Sequence, residues 1–115
     1  MNTRLGRRWL LLVPVVLALA TAIVVRAGGA PPERLELAIR GWAFEPSTLE
    51  AAPGDTIVWT NHDVVPHTAT TKDGSMDSGV ILPGASWSFV VPKAAGHHSY
   101  LCIFHPTMTG AITVR

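Results

Sequence analysis

Apolar and polar residues alternate along most of the chain beyond Glu33, whereas a helix would repeat its apolar positions every three or four residues. Leu35, Leu37 and Ile39 fall on one side of an extended segment, and the residues between them are charged or small. Similar runs, separated by turns that contain proline or glycine, predict further strands at residues 56–61, 67–71, 86–91, 98–103 and 111–115. Six or seven short strands in about 85 residues predict an all-β sandwich that forms one domain.

The rest of this domain predicts turns and loops. Residues 73–79 are polar and rich in glycine and serine, which is typical of a loop, and no segment has the periodicity of a helix. Aromatic residues are numerous enough to fill the centre of a small sandwich. The predicted core aromatic residues are Trp42, Phe44, Trp59, Trp87, Phe89 and Tyr100.

The first 30 residues follow a different pattern. A short basic stretch, residues 1–8, precedes a mainly apolar stretch, residues 9–25, and small residues follow before Pro31. This order predicts a secretory signal peptide, residues 1–30. An uncleaved membrane anchor at residues 9–25 is the alternative, because about 17 residues is close to the shortest helix that spans a bilayer. In both cases we expect residues 31–115 to lie outside the cytoplasm, for example in a periplasm.

The charge of the chain is divided between these two parts. Nine Lys and Arg residues against eight Asp and Glu residues give a net charge of +1. From Pro31 onward, five basic residues stand against all eight acids, a net charge of −3. Because no basic stripe remains in the domain, nucleic acid is not expected as a partner. We expect a monomer that touches a membrane only if the N-terminal segment is retained.

Cys102 is the only cysteine, so the chain has no internal disulfide. Small exported domains are often held together by disulfides, and an exposed thiol in an oxidising compartment is prone to oxidation. The residue is therefore either a buried, inert thiol or a metal-binding thiolate, and its neighbours decide between these interpretations.

The segment after Cys102 carries two further candidate ligands at regular spacing. His105 and Met108 follow at intervals of three residues, so a tight turn at a strand end would bring all three side chains onto one ion. His67, directly after Pro66, supplies a second imidazole. Each residue alone has an ordinary explanation, as a buried thiol, a surface histidine or a core methionine. Together, two imidazoles, a thiolate and a weak thioether are the ligand set of copper in electron-transfer sites.

Other ligands and other metals fit this pattern less well. His98 lies four residues, roughly 13 Å, before Cys102 on an extended strand, which is too far for a shared ion. His97 points to the opposite face of that strand, and His62 lies in a polar turn. Zinc is compatible with one cysteine and two histidines, but it gains little from a thioether.

Residues 34–115 resemble the cupredoxin family. The resemblance rests above all on Pro66-His67-Thr68 and on the ligand loop Tyr100-x-Cys102-x-x-His105-Pro106-x-Met108, which is similar to that of amicyanin- and plastocyanin-like members. Further shared positions are Phe44, Pro46, Leu49, residues 53–56, Asn61, Asp63, Ser78, Gly79, Pro83, Gly84, Gly96 and Gly110.

The resemblance implies a Greek-key β-sandwich with one type 1 copper ion held by His67, Cys102, His105 and Met108. It implies a one-electron carrier without enzyme activity, which meets redox partner proteins by brief docking around His105. The apolar residues expected there are Val64, Val65, Pro66, Pro106 and Thr107.

Two questions stay open within the resemblance. Many relatives carry asparagine after the first ligand histidine, where it braces the cysteine loop, and Thr68 occupies that place here. Threonine can also form hydrogen bonds, and its backbone N–H can approach the Cys102 sulfur. The second question is function, because a periplasmic copper-binding or delivery protein would use the same four ligands without transferring electrons. A copper oxidase or nitrite reductase would need additional histidines for further copper centres.

Overall fold

The computed structural model describes residues 29–115, so the predicted leader lies outside the described residues except for its last two positions. Within this range the chain forms strands and turns, and no helix is long and apolar enough to cross a membrane. The strands are β1 (Arg34–Ile39), β2 (Phe44–Glu45), β3 (Thr48–Ala51), β4 (Thr56–Asn61), β5 (Ser86–Val90), β6 (Gly96–Cys102) and β7 (His105–Val114).

The strands form two sheets whose apolar sides share one buried cluster. The first sheet has the order β2-β1-β4-β5, and the second has the order β3-β7-β6. β1 pairs with β4 in parallel, β3 pairs with β7 in parallel, and the other neighbours are antiparallel. The predicted all-β fold is therefore confirmed.

Three predicted strands match the structure closely. β1 alternates as expected, with Leu37 and Ile39 buried and Glu36 exposed. β4 has the predicted bounds, and β5 ends one residue earlier than predicted. β1 and β5 alternate because each has one face against the core and one face nearer to solvent. β4 is buried on both faces at residues 57–59, and its β-branched and aromatic residues marked it as a strand.

The strands near the candidate ligands differ from the prediction. β6 begins at Gly96 instead of residue 98, and β7 begins at His105 instead of residue 111. Residues 106–110 contain a proline and a glycine, which predicted a loop, but the pairing with β6 includes them in a hairpin. The pattern also misses β2 and β3, since two and four residues are too few to show alternation.

The predicted strand at residues 67–71 is wrong. Instead of pairing with one neighbour, this segment makes isolated bridges from His67 to Ile81 and from Thr70 to both Asp77 and Leu101. Residues 67–69 are all buried, but unlike β4 the segment has no continuous strand pairing on either side. It passes between the β6 end and the loop before β5, and this position brings His67 to the candidate metal centre.

Trp59 and Tyr100 connect the two sheets at the centre of the core. Their rings meet edge to face with centroids 5.7 Å apart, and Trp59 Nε1 donates a hydrogen bond of 3.3 Å to Tyr100 Oη. Burial raises the pKa of Tyr100 to about 12, so this hydroxyl stays protonated at neutral pH. Phe44 is also buried, while Trp87 and Phe89 pack against the core with part of their surface exposed.

The prediction that Trp42 belongs to the core is wrong. This side chain is 53% exposed and lies in the turn between β1 and β2. An aromatic residue is usually an indication of the core, but here the chain turns at the tryptophan and carries it out of the sandwich.

Gly110→Ala should destabilise the fold because Tyr100 lies directly over this glycine. The two residues pair across β6 and β7, and a Cβ at Gly110 would come within 2.5 Å of Tyr100 Cζ and Oη. We expect the free energy of unfolding in urea to fall by about 1–3 kcal/mol, as is typical of overpacking. Thr109→Ala changes the adjacent exposed position and is the matched control. Equal stability of the two variants would contradict this explanation.

Candidate metal centre

The hairpin between β6 and β7 places two predicted ligands opposite each other. Residues 103 and 104 form its turn, and Cys102 pairs with His105 across it. Cys102 Sγ consequently lies 3.6 Å from His105 Nδ1. Cys102 and His105 are three positions apart in the sequence because the two turn residues lie between them.

His67 reaches the same point from a distant part of the chain. Its backbone N–H donates to the Ile81 carbonyl (3.2 Å), and its carbonyl accepts from the Ile81 N–H (2.8 Å). The His67 side chain is completely buried, and its Nδ1 lies 3.7 Å from Cys102 Sγ. The two backbone hydrogen bonds to Ile81 and the complete burial of the ring fix the imidazole beside the thiol.

The three side chains fit a single metal ion. One ligand atom from each of His67, Cys102 and His105 lies within 4.8 Å of the other two. Metal–nitrogen and metal–sulfur bonds of about 2.0–2.3 Å place neighbouring ligand atoms roughly 3.5 Å apart, which matches the two sulfur–nitrogen distances. Among residues 29–115, no other group of three His, Cys, Asp or Glu side chains converges in this way.

Thr68 braces the cysteine from the His67 segment. Its backbone N–H donates to Cys102 Sγ (3.3 Å), as expected from the sequence. Its hydroxyl oxygen accepts hydrogen bonds from the Ile103 N–H (2.9 Å) and the Thr70 hydroxyl (3.1 Å). Threonine therefore ties the hairpin turn to the first ligand segment, although its side chain is shorter than the asparagine common in the family.

Thr68→Val should loosen this hairpin while keeping the shape of the side chain. The substitution removes the acceptor of the Ile103 N–H, and loss of such a partly buried hydrogen bond costs about 0.5–1.5 kcal/mol of unfolding free energy. Urea unfolding of the metal-free protein measures the loss. Thr70→Val removes a hydroxyl whose single hydrogen can be donated to Thr68 (3.1 Å) or to Asp77 (3.4 Å), so a loss of similar size in that variant would contradict the role of Thr68.

Asp63 contacts the His67 ring from the side away from Cys102. Its Oδ2 lies 2.8 Å from His67 Nε2, and its two oxygens accept hydrogen bonds from the backbone N–H groups of Gly41 (2.7 Å) and Trp42 (2.9 Å). Burial alone would raise the pKa of Asp63, but the bonds from Trp42, Gly41 and His67 outweigh it and hold the pKa below its usual value. The carboxylate is therefore ionised at neutral pH and can only accept hydrogen bonds.

This carboxylate decides which nitrogen of His67 is free. Because Asp63 accepts, His67 Nε2 carries the hydrogen and Nδ1 presents its lone pair to the space beside Cys102 Sγ. In the sequence, Asp63 is one of the positions that resemble the family, but nothing there links it to the metal. An acidic residue four positions before a candidate histidine ligand is by itself too common to identify a site.

The other candidate residues also have definite places. Met108 is buried on β7 and belongs to the same apolar cluster as Cys102. His62 and His97 are exposed, and His98 Nε2 contacts the Ala94 carbonyl at 2.9 Å. In the described part of the chain, these three histidines lie outside the converging group.

The donor set has the chemistry that copper prefers. Two imidazole nitrogens and a thiolate, with a thioether nearby in the same core, suit copper in both of its common oxidation states. In residues 29–115, the cysteine is completely buried and has no disulfide partner, so its sulfur is shielded from solvent.

Comparison with known proteins agrees with this chemistry. A protein-family model described as a cupredoxin-like domain matches residues 10–114. The chain belongs to the cupredoxin family. This cupredoxin is 26% identical to amicyanin-alpha of Methylorubrum extorquens in an alignment that covers 85% of this chain and 86% of that protein. It is 31% identical to a chloroplast plastocyanin of Fritillaria agrestis in an alignment that covers 85% of this chain and 72% of that protein.

Solved structures show the same fold. This cupredoxin matches a purple cupredoxin from Nitrosopumilus maritimus with a TM-score of 0.64 and 27% identity, over 70% of this chain and 99% of that one. It also matches an amicyanin variant solved in its reduced Cu(I) form, with a TM-score of 0.65 and 23% identity, over 78% and 86% of the two chains. The resemblance inferred from the ligand loop is therefore confirmed at the level of family and fold.

Proposed function

We propose that this cupredoxin is an exported type 1 copper protein that carries single electrons between redox partners. The observation that carries the proposal is the convergence of His67, Cys102 and His105, whose ligand atoms lie within 4.8 Å of one another. Met108 is the proposed fourth and weakest ligand, because it is buried in the same cluster as the cysteine. The similarity to amicyanin and plastocyanin supports electron transfer as the role of this site.

The protein's role in electron transfer is to hold the ligands in fixed positions. Bound copper would accept and release one electron, since imidazole and thiolate suit Cu(II) while thiolate and thioether suit Cu(I). Thr68 holds the sulfur, Ile81 holds the His67 backbone and Asp63 holds the His67 ring. Because these contacts exist in the protein itself, gain or loss of an electron requires little movement of the ligands.

His105 is the proposed exit for the electron. Of the three converging ligands it is the one that is partly exposed, while His67 and Cys102 are buried. Ile103 and Phe104 in the adjoining turn are exposed apolar residues, and Val64 is 92% exposed. Of the predicted docking residues, Pro66, Pro106 and Thr107 are also exposed and Val65 is half-buried. These side chains support brief docking of a redox protein.

We also propose that the N-terminal segment exports this domain, as a cleaved signal peptide or as an anchor at residues 9–25. Within residues 29–115, the first residue hydrogen-bonded to the sandwich is Glu33, whose N–H donates to Asp55 and whose carbonyl accepts from Thr56. Cleavage near residue 30 would therefore leave every strand intact. The mass of the protein recovered from the periplasm would distinguish the cleaved form from the anchored one.

A redox titration of the copper-loaded protein tests the electron-carrier proposal. We expect the visible absorption to bleach and return with the slope of a one-electron couple, and the copper to stay bound in both states. Line broadening in NMR spectra of partly oxidised samples should show rapid electron exchange between molecules. Release of copper to a chelating peptide on each reduction would contradict electron transport and favour copper delivery.

Met108→Leu should keep the visible colour and raise the reduction potential. Leucine makes the surroundings of the metal more apolar, which disfavours the more highly charged Cu(II). Potentiometry of the copper-loaded variant measures the change. Met76→Leu is the matched control, since Met76 is an equally buried methionine in a loop outside the ligand set. An unchanged potential, or complete loss of copper binding, would show that the proposed axial role is wrong.

A further inference from the structure

Trp42 occupies a strained turn at the edge of the metal centre. Gly41 and Trp42 form the two-residue turn between β1 and β2, which is closed by hydrogen bonds between Arg40 and Ala43. The φ angle is 61° at Gly41 and 59° at Trp42. Glycine adopts this left-handed region freely, but for a bulky residue it is a real outlier, and Trp42 is the only non-glycine example in residues 29–115.

Asp63 holds the strained turn and the first histidine ligand together. Its carboxylate accepts the N–H groups of Gly41 and Trp42, and the oxygen that accepts from Trp42 also contacts His67 Nε2. The turn is therefore fastened to the same side chain that orients His67. A strained residue that is held so specifically indicates a function for its side chain.

The indole of Trp42 contacts the second histidine ligand. Its ring centroid lies 4.2 Å from that of His105 at an interplanar angle of 72°, and 5.5 Å from that of His67 at 83°. Both are edge-to-face arrangements. Because Trp42 is more than half exposed, its indole forms an outer wall over the two imidazoles.

The two histidines differ in what orients them. Asp63 binds the outer nitrogen of His67, which is the usual arrangement for a metal-binding histidine. In the described part of the chain, the His105 ring makes no hydrogen bond other than the contact of Nδ1 with Cys102 Sγ. Packing against Trp42 thus takes the place that a hydrogen bond has at the other ligand.

We propose that Trp42 is a positioning residue of the metal centre, which fixes the orientation of His105 and shields the ligand atoms from water. The inference rests on the proposed function for the identity of the metal, while the contact itself is a property of the protein. A fixed imidazole keeps the ligand atoms together, and an apolar cover favours the less charged Cu(I).

Three variants separate this role from simple packing. Trp42→Gly removes the indole and supplies the residue that the turn's φ angle favours, so the metal-free protein should melt at the wild-type temperature or above it. Trp42→Phe keeps an aromatic ring. Val90→Ser removes an exposed apolar side chain paired with Thr56, at the opposite end of β4 from the site, and is the control.

We expect Trp42→Gly to act on the metal centre and not on the fold. In the metal-free protein, the NMR signals of the His105 ring nitrogens should broaden as the ring becomes mobile. The copper affinity of the variant should fall about 10-fold, and the reduction potential of its copper-loaded form should be lower than that of the wild type. Trp42→Phe should restore most of both properties, and Val90→Ser should match the wild type throughout.

The proposal is overturned if His105 in Trp42→Gly stays as ordered as in the wild type, or if affinity and potential do not change. It is also overturned if Trp42→Gly mainly lowers the melting temperature, since that is the effect of a packing residue. A wild-type protein that lacks a copper–thiolate absorption band would contradict the proposed function instead, and the His105 signals of the metal-free protein would still decide the role of Trp42.

Discussion

Cys102→Ser should abolish the intense visible absorption of the copper-loaded protein and lower its copper affinity by more than about 100-fold, beyond the effect of losing a residue that only orients a ligand. The band, expected at about 600 nm, requires charge transfer from a thiolate to Cu(II), and a serine hydroxyl is neither soft nor ionised at neutral pH. The metal-free variant should stay folded, because the Thr68 N–H can still donate to the serine oxygen. Visible spectra and a competition titration for copper measure the two effects.

A second substitution controls for the mere presence of a thiol. Adding Ser99→Cys to the Cys102→Ser variant returns one cysteine to β6, at an exposed position three residues before the site. The restored thiol should not restore the band. A band that persists in Cys102→Ser, or returns with the displaced cysteine, would show that Cys102 is not the thiolate ligand.

Asp63→Ala should weaken copper binding by about 10–100-fold, the usual effect of losing the partner that orients a ligand histidine. The variant frees His67 Nε2, so the imidazole no longer presents Nδ1 to the thiol in a fixed way. It also releases the N–H groups of Gly41 and Trp42 and so loosens the turn over His105. Both histidine ligands are affected through one side chain.

The copper dissociation constant measures the effect of Asp63→Ala. Glu50→Ala removes one negative charge from an exposed position on β3 and is the matched control for a general charge effect. Asp63→Asn should fall between the alanine variant and the wild type, because an amide keeps one acceptor oxygen. An affinity in Asp63→Ala equal to that of Glu50→Ala would contradict the orienting role.

The sequence predicted the structure well where apolar and polar residues alternate with the two-residue period of a strand. β1 and β5 each have one face against the core, and their alternation predicted both strands nearly to the residue. The spacing of Cys102 and His105 is also a local property, because it is set by one two-residue turn. Local patterns of this kind can be read without knowing the fold.

The parts that the sequence did not predict depend on contacts between distant segments. Residues 67–71 make single bridges to three places, so no alternation marks them. Asp63 accepts hydrogen bonds from Gly41 and Trp42, which lie 22 and 21 positions earlier in the sequence, and no local sequence pattern predicts these contacts.

Trp42 shows the same limit in another way. Its aromatic side chain predicted a place in the core, whereas its backbone conformation and the carboxylate of Asp63 place it over the ligands. A left-handed φ angle at a tryptophan has no sequence signal, since the intrinsic preference of the residue is against it.

Titration of the metal-free wild-type protein with Cu(II), followed by visible spectroscopy, tests the central claim most directly. The arrangement of His67, Cys102 and His105 predicts an intense band at about 600 nm that grows to a maximum at one equivalent of copper. Folded protein that binds copper without this band, or that develops it only with further equivalents, would contradict a single copper–thiolate centre at these residues.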